Sequence, residues 1–189
     1  GVALYQLNGD ATDVSGNYNG TATNVTYGAG QFGQAGVFNN GYIQIPNLTI
    51  PTTATISIWA KATSGYLFSS QTSANRREQP NMYWDGTNNR FACLSSRGDS
   101  SSWLYTGTLT AGAWHNIVLV QKSDGTAYLY ANGELQDSNT TTAATYTPIS
   151  GFTIGALYEP EDGGIKSPYT GEIDQVRIFS RALRPYEVE

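Results

Sequence analysis

Short apolar runs recur from one end of the chain to the other, and Gly, Asn and Asp residues separate them. Most are a few residues long, the usual length of a β-strand. The runs are Val2 to Leu7, Tyr42 to Pro46, Ala54 to Ala62, Tyr66 to Ser69, Met82 to Trp84, Arg90 to Leu94, Trp103 to Tyr105, Trp114 to Gln121, Ala127 to Ala131, Phe152 to Gly155 and Ile173 to Phe179. The pattern predicts an all-β fold, a two-sheet antiparallel β-sandwich. The one helical turn expected follows Arg184, where Pro185 suits an early helical position.

Two of these runs differ in the arrangement of their apolar residues. From Ala54 to Ala60, apolar positions alternate on one side, which is typical of a strand with one face toward a core. The run from Ile117 to Val120 is apolar at every position. Such a run favours a central strand that is covered on both faces.

Dipeptides that form tight turns lie between neighbouring runs. Asp85-Gly86, Asp124-Gly125 and Asn132-Gly133 each follow one apolar run and precede another. Asp-Gly and Asn-Gly pairs in this setting are strong signals for β-hairpins. The middle of the chain is therefore predicted to be an antiparallel meander.

Composition narrows the class of protein. The chain has 189 residues, a length that favours a single domain spanning residues 1–189. Only 13% of the residues are charged. The net charge of −5 argues against a nucleic-acid partner, which would require clustered Lys and Arg. Cys93 is the only cysteine, so an intrachain disulfide is excluded. The chain as given shows no signal peptide and no apolar run of about 18 residues, so no membrane insertion is expected.

Three segments together point to a family. The first runs from Leu4 to Asn17 and includes an Asp-Val-Ser-Gly-Asn loop, and the second joins Trp114-His115 to the Asn132-Gly133 turn. The third, Gly171 to Leu183, has the pattern Gly-x-Ile-Asp-x-Val-Arg-Ile-Phe-x-Arg-Ala-Leu. In this order the segments resemble the laminin-G-like, concanavalin A-like jelly-roll family.

The resemblance implies a jelly roll of two curved sheets, one of them concave and often used for ligands. It also implies a structural Ca²⁺ near the place where the chain ends meet. It does not imply one activity, because the fold occurs in lectins, carbohydrate-binding modules, adhesive domains and glycosidases.

The spacing of Glu172 and Asp174 raises the possibility of a catalytic pair, since residues two apart on a strand point to the same face. Glucanases that share the fold resemblance use a Glu-x-Asp-x-Glu strand or a bulged form of it. Here Val176 and Arg177 stand where the second glutamate is needed. Retaining hydrolysis requires two facing carboxyl groups, so catalysis by this pair is not predicted.

A calcium ion is the metal that the sequence favours, because oxygen donors are abundant while His and Cys are single. We expect Asp174 to bind structural Ca²⁺ together with one or more of Asp13, Asp10, Asn17 and backbone carbonyls. This would join the N-terminal loop to the last strand. In the alternative hypothesis, Asp174 only accepts hydrogen bonds from loop amides.

The stretch from Tyr66 to Tyr105 is rich in aromatic, Arg, Asn and Asp residues, the combination with which proteins hold sugars. Each aromatic residue could instead belong to the core, since half of each strand faces inward. The predicted ligand-binding residues are Tyr66, Arg76, Arg77, Trp84, Arg97, Asp99, Trp103, Tyr105 and Tyr158.

These observations predict a non-catalytic recognition module that binds carbohydrate or a glycoconjugate through the concave sheet or its rim loops. The expected location is extracellular or surface-associated, and the module could belong to a larger enzyme. The alternative is a structural or adhesive domain of a cell or virion surface with protein partners. A glycoside hydrolase is the third hypothesis.

Overall fold

The computed structural model describes residues 1–70, 80–95, 103–141, 148, 150–159 and 163–188. Those residues form β1 (Ala3–Tyr5), β2 (Thr21–Ala29), β3 (Gln34–Thr49), β4 (Ala54–Ser70), β5 (Asn81–Asp85), β6 (Arg90–Leu94), β7 (Leu104–Tyr105), β8 (Trp114–Gln121), β9 (Thr126–Ala131), β10 (Glu134–Thr140), β11 (Ser150–Ile154), β12 (Leu157–Glu159), β13 (Gly164–Lys166), β14 (Thr170–Phe179) and α1 (Pro185–Val188). The all-β prediction and the short C-terminal helix are confirmed. Within the described part of the chain, no helix has the length and apolar character needed to cross a membrane.

One layer of the sandwich contains the first and the last strand of the chain, and we name it the terminal sheet. β14 lies between β1 and the first half of β4. β8 pairs with the other edge of β4, and β9 and β10 continue outward as hairpins. The strand order of the terminal sheet is therefore β1, β14, β4, β8, β9 and β10.

The other layer contains the meander of β5, β6 and β7, and we name it the meander sheet. The second half of β4 pairs with β5 on one side and with β11 on the other. β11 pairs in turn with β3, and β3 pairs with β2. β12 and β13 form a separate two-stranded ribbon.

β4 is 17 residues long and takes part in both sheets. Its pairing passes from β14 at Ser64 to β5 at Gly65. Gly65 has a φ of +86°, and a Cβ at this position would collide with the carbonyl oxygen of Pro168. Glycine is therefore required where the strand crosses between the sheets.

The core lies between the two sheets. A continuous row of inward-facing apolar residues crosses the meander sheet, each member opposite the next: Ile43, Ile154, Phe68, Met82, Cys93 and Leu104. All six are buried. They belong to one cluster with Ile56, Ile58, Ile117 and Leu119 of the terminal sheet.

β8 is covered on both faces, as the sequence predicts. Ile117 and Leu119 face the core, whereas Val118 and Val120 belong to a second apolar cluster on the outer surface. Val188 of helix α1 completes this outer cluster. The C-terminal segment therefore covers part of the outer surface of the terminal sheet.

The predicted hairpins are also confirmed. β5 pairs with β6 across Asp85-Gly86, β8 with β9 across Asp124-Gly125, and β9 with β10 across Asn132-Gly133. Asn132 and Gly133 have φ values of +53° and +84°. Two successive positive φ angles are characteristic of the type I′ turn, whose twist matches that of the flanking strands.

Candidate functional site

The outer surface of the meander sheet has a row of polar side chains across four strands. Its members lie opposite one another in the order Gln44, Thr153, Ser69 and Asn81. Directly opposite residues of an antiparallel sheet project to the same face, and the neighbouring residues Ile154, Phe68 and Met82 face the core. Thr153 and Ser69 are fully buried, and Asn81 is 4% exposed. We name these four residues the polar row.

The hydroxyl groups of this surface differ in their hydrogen bonding. Ser69 Oγ donates to the carbonyl of Ala156 at 2.9 Å and accepts from the amide of Tyr158 at 3.2 Å. Thr153 Oγ1 is buried without a hydrogen-bond partner in the described part of the chain. Leaving such a hydroxyl unpaired costs about 1–3 kcal/mol. A water molecule or a ligand hydroxyl at this position would therefore be stabilising.

The next outer row of the same sheet is aromatic. Tyr66 lies opposite Tyr83, Tyr83 opposite Ala92, and Ala92 opposite Tyr105. The rings of Tyr66 and Tyr83 have centroids 5.1 Å apart, and Trp103 meets Tyr83 edge-on at 5.3 Å. All four rings are partly exposed. We name Tyr66, Tyr83, Trp103 and Tyr105 the aromatic row.

Arg90 places a positive charge at the end of the aromatic row. Its guanidinium carbon lies 3.9 Å from the centroid of the Tyr105 ring, and its Nε donates to Asp85 Oδ2 at 3.0 Å. The side chains of Asn88 and Arg90 also lower the pKa of Asp85. Because Asp85 stays ionised at neutral pH, it holds Arg90 over Tyr105. The aromatic row, the polar row and Arg90 together form what we name the aromatic face.

Several residues predicted from the sequence to bind ligand lie on the aromatic face. Tyr66, Trp103 and Tyr105 belong to the aromatic row, and Tyr158 lies beside Ser69. Arg76, Arg77, Arg97 and Asp99 lie outside the described residues. The role of the whole set in ligand binding stays a prediction.

The sequence-based prediction that Trp84 binds ligand is wrong, because the residue lies in the core. Trp84 is 4% exposed and packs in the core, with its ring edge-on to Phe91 at a centroid distance of 4.9 Å. Side chains alternate along a strand, so Trp84 must face inward if Tyr83 and Asp85 face outward. The core cannot offer this indole to a ligand.

Other residues of the aromatic face were missing from the sequence-based prediction: Gln44, Ser69, Asn81, Tyr83, Arg90 and Thr153. The sequence indicates that Tyr83 and Trp84 have opposite orientations, but not which of them points outward. The polar row comes from four strands that are distant in sequence, and only their register aligns them. No local pattern could have found it.

Asp13, one of the predicted calcium ligands, is bound by its own loop and by β1. Its carboxylate accepts hydrogen bonds from the Leu4 amide at 2.9 Å, the Tyr18 amide at 3.3 Å and both the amide and the hydroxyl of Ser15. Burial alone would raise the pKa of Asp13, but these hydrogen bonds outweigh burial and lower it. Asp13 thus secures the N-terminal loop to β1.

Asp174 lies on the outer face of β14, opposite Trp59, and is fully buried. Its Oδ2 accepts a hydrogen bond from the amide of Phe32 at 2.8 Å. Its Oδ1 is buried without a hydrogen-bond partner among the described residues. Burial raises the pKa of Asp174, and hydrogen bonds from Phe32, Gln175 and Gln31 oppose this shift only in part.

The predicted ligand set does not come together. Asp10, which is exposed and bonded to Thr12, does not form a group of three acidic residues with Asp13 and Asp174. Asn17 is exposed on the N-terminal loop, and its backbone amide donates a hydrogen bond to Ser15 Oγ. β1 lies between Asp13 and β14, because Tyr5 bridges to Asp13 on one side and pairs with Val176 on the other. The described residues therefore do not gather the three predicted acidic ligands into one group, and the calcium site stays a prediction.

Solved structures show the same fold. Domain 4 of AbnA, a GH43 extracellular arabinanase from Geobacillus stearothermophilus, solved in complex with arabinotriose, is 24% identical with a TM-score of 0.75. The match covers 98% of this chain and 95% of that one. The CBM40 of a Ruminococcus gnavus IT-sialidase, bound to alpha2,3 sialyllactose, is 18% identical with a TM-score of 0.59, covering 74% of this chain and 81% of that one.

The botulinum neurotoxin serotype D binding domain is also similar, with 16% identity and a TM-score of 0.72. This chain is covered over 99% of its length but spans only 50% of that domain. At these identities the likeness shows the fold alone.

Among proteins with curated descriptions, none matches the chain significantly. A family match does exist, and it spans residues 35–189, which include β3 to β14 and helix α1. The chain therefore belongs to the laminin-G family of the concanavalin A-like lectin/glucanases superfamily, as the sequence resemblance implies.

Proposed function

We propose that this protein is a non-catalytic recognition module that binds carbohydrate through its aromatic face. One observation supports this most directly. A row of partly exposed rings lies next to a row of polar groups, three of them buried, on the same surface of the meander sheet.

The two rows suit the two kinds of surface that a sugar presents. The apolar C–H faces of a sugar ring would lie on the aromatic row, where burial of ring surface is stabilising. Sugar hydroxyls would reach the partly exposed Gln44 of the polar row directly. They would reach the fully buried Thr153 Oγ1, which has a hydrogen bond still to make, through a bridging water molecule. Arg90 would donate to a hydroxyl or an acidic group, since only its Nε is bonded to Asp85.

The comparisons support a glycan ligand in general terms. Two of the similar structures contain a saccharide, arabinotriose in one and sialyllactose in the other. One of them is a domain of an extracellular enzyme, which supports an extracellular or surface-associated role and a place beside a catalytic domain.

Among the described residues, the arrangement of acidic side chains favours binding over hydrolysis. Glu172 forms an ion pair with Lys61 at 3.5 Å, and Asp174 is buried against Phe32. On the meander sheet, Asp85 is paired with Arg90, and Glu159 of the neighbouring ribbon is paired with Lys166. A retaining glycosidase needs two carboxyl groups about 5–5.5 Å apart across a substrate site, and these pairs serve other contacts.

We also propose that a structural Ca²⁺ is held at Asp174 rather than between the two ends of the chain. Asp174 Oδ1 is a buried, unpartnered carboxylate oxygen, which is the donor type that Ca²⁺ prefers. Backbone carbonyls of the 30–33 turn, whose Phe32 amide binds Asp174 Oδ2, would complete the site. The ion would secure this turn to β14.

A glycan array with neutral and acidic glycans, in the presence of Ca²⁺, tests the carbohydrate proposal. We expect the wild type to bind at least one class of glycan. Tyr83→Ala is expected to weaken this binding by about tenfold, because it removes the central ring of the aromatic row. Tyr186→Ala is the matched control, since Tyr186 is 63% exposed and lies outside the aromatic face.

Two results would reject the proposal. One is silence across all glycans, which would favour the structural or adhesive alternative. The other is equal weakening by Tyr83→Ala and Tyr186→Ala, which would mean that binding does not use the aromatic face. Circular dichroism of each variant shows whether a loss of binding reflects a loss of folding.

A further inference from the structure

The outer surface of the terminal sheet, on the other side of the molecule, contains a groove of about 690 Å³. Its volume is within the range of small-molecule sites, about 300–1,000 Å³. Two outer rows of the sheet form its floor. In one, Trp59 lies opposite Asn116, and in the other, Ser57 lies between Arg177 and Val118. We name this cavity the terminal groove.

Three segments of the chain line the terminal groove beside this floor. They are the 30–33 turn with Phe32, the β9–β10 turn from Asn132 to Glu134, and the C-terminal segment with Leu183, Glu187 and Val188. The strands by themselves would therefore not form the groove. It exists because the 30–33 turn and helix α1 rise above the sheet.

The aromatic part of the groove consists of Trp59 and Phe32. Their rings meet edge-on with centroids 5.5 Å apart, and Phe32 is 50% exposed although it is a large apolar side chain. The hydrogen bond from the Phe32 amide to buried Asp174 fixes the position of its backbone. Trp59, held between this ring and the sheet, stays partly exposed on the floor.

The polar part of the groove presents amide and hydroxyl groups. Asn116 Nδ2 donates to Ser57 Oγ at 3.3 Å, and the Asn116 backbone amide donates to Asn132 Oδ1 at 3.0 Å. The side-chain oxygen of Asn116 accepts no hydrogen bond from the described residues. It is thus available as an acceptor on the strand position directly opposite Trp59.

The charges of the groove nearly cancel. Glu187 is bound by both Nη atoms of Arg181 at 2.8 and 2.9 Å and by the Arg184 amide at 2.8 Å. The remaining ionic groups are Arg177, which donates to Gln175 Oε1, and the exposed Glu134. The one positive and one negative group of the lining offer no net attraction to a phosphate, a sulfate or a sialic acid, and Asp174 is fully buried outside this lining.

We propose that the terminal groove is a second ligand site, which binds a neutral oligosaccharide with one sugar ring on Trp59. Asn116 and Ser57 receive hydroxyls of that ring, and Arg177 donates to the next sugar. This site is independent of the aromatic face, so the protein would hold two glycan segments on opposite surfaces. Linked sites of this kind raise the avidity for a polymeric glycan without new contacts.

The indole N–H signals of the four tryptophans report on this proposal by NMR. Trp59 lies in the groove, Trp103 on the aromatic face, Trp84 in the core and Trp114 elsewhere on the outer terminal sheet. Each signal is assigned from its Trp→Phe variant. The folded protein is titrated with arabinotriose, maltotriose and cellotriose up to about 10 mM, which reaches millimolar affinities, and separately with sialyllactose.

We expect at least one neutral trisaccharide to shift the Trp59 signal saturably, while the Trp84 signal stays in place. Trp59→Ala should raise the Kd for that trisaccharide by about tenfold, and Trp59→Phe should raise it less because a ring remains. Trp114→Phe is the matched control and should leave the Kd unchanged. The Asn116 side-chain amide signal, followed in the same spectra, provides a readout that does not depend on a tryptophan variant.

The experiment separates this site from the aromatic face. In a Tyr83→Ala background, the Trp59 titration should be unchanged even if the Trp103 response is lost. The proposal is overturned if no neutral trisaccharide moves the Trp59 signal, if only sialyllactose does, or if Trp59→Ala binds as well as the wild type.

Discussion

The two outer surfaces of the sandwich come from the same architecture but differ in what covers them. On the meander sheet, aromatic rings lie side by side across neighbouring strands, and buried polar groups follow in the next row. On the terminal sheet, one tryptophan lies in a groove whose walls come from the 30–33 turn and the C-terminal segment. The register of neighbouring strands aligns the side chains of the first surface, whereas segments that rise above the sheet form the second.

This difference shows how one fold acquires two kinds of surface. The inward-facing rows tolerate exchange of one apolar side chain for another of similar volume, because such a side chain still fills the core. The outward rows are specific, because their chemistry depends on which strands are neighbours and on which segments cover them. Four changes test this comparison, from the largest expected effect to the smallest.

Replacement of Trp84 should have the largest effect on stability, because Trp84 belongs to neither surface. Trp84→Ala is expected to lower the free energy of unfolding by about 3–5 kcal/mol, since it leaves a cavity in the core. The measurement is urea unfolding. Trp84→Phe should fold and bind glycan like the wild type. Weaker glycan binding by a stable Trp84→Phe protein would show that Trp84 takes part in ligand binding.

Calcium removal should affect the terminal sheet more than the meander sheet. If Ca²⁺ is present at about 100 times its Kd, a chelator should lower the free energy of unfolding by about 2.7 kcal/mol. It should also shift the Trp59 indole signal, because Asp174 lies opposite Trp59, and leave that of Trp103 in place. Thermal unfolding with and without chelator gives the first result, and NMR gives the second.

Two variants sharpen the calcium test. Asp174→Asn should abolish the response to chelator, whereas Asp13→Asn should destabilise the loop and keep the response, since Asp13 binds protein donors. An unchanged unfolding midpoint together with no metal in elemental analysis would contradict the calcium proposal.

Thr153→Val should separate ligand binding from stability on the aromatic face. The variant replaces a buried hydroxyl that has no partner with a methyl group, so the free energy of unfolding should stay the same or rise by up to about 1 kcal/mol. Glycan affinity at this face should fall severalfold if a sugar hydroxyl is bound there. Calorimetry measures the affinity, and Thr26→Val, which changes an exposed threonine of β2 outside both proposed sites, is the control. Unchanged affinity would remove Thr153 from the site.

Acid should loosen the wall of the terminal groove, the smallest of the four effects. Hydrogen bonds from the Arg181 side chain and the Arg184 amide lower the pKa of Glu187 from its ordinary value of 4.5 to about 2. The stabilisation from Glu187 is therefore complete above pH 4.5 and is lost as the pH falls through about 2. The methyl NMR signals of Val188 and Val118 should move in this window, and less so in Glu187→Gln. Equal pH dependence in both proteins would rule out this role for Glu187.

Much of the fold was predictable because its signals are local. Alternation from Ala54 to Ala60, the apolar run at Ile117 to Val120 and the Asn132-Gly133 turn each depend on neighbouring residues. Steric preferences of the backbone and the period of a strand act over the same short distances. The C-terminal motif from Gly171 to Leu183 pointed to the correct family for the same reason.

The candidate sites were predictable only in part. Tyr66, Trp103 and Tyr105 were predicted to bind ligand and share one face, but the aromatic signal alone could not separate them from the inward-facing Trp84. The calcium hypothesis assumed that carboxylates near the two ends of the chain lie close together because the two ends are neighbours in the fold. β1 lies between Asp13 and β14, and the described residues form no group of three acidic side chains there.

By itself, then, the sequence determined the class of fold, the hairpins, the strand covered on both faces and the family. Tertiary structure decided which tryptophan is core and which is surface, which polar groups from four strands form one row, and where the chain covers its own sheet. The physical reason is distance along the chain. Local sterics select strands and turns, whereas cross-strand register and burial depend on partners that lie far away in the sequence.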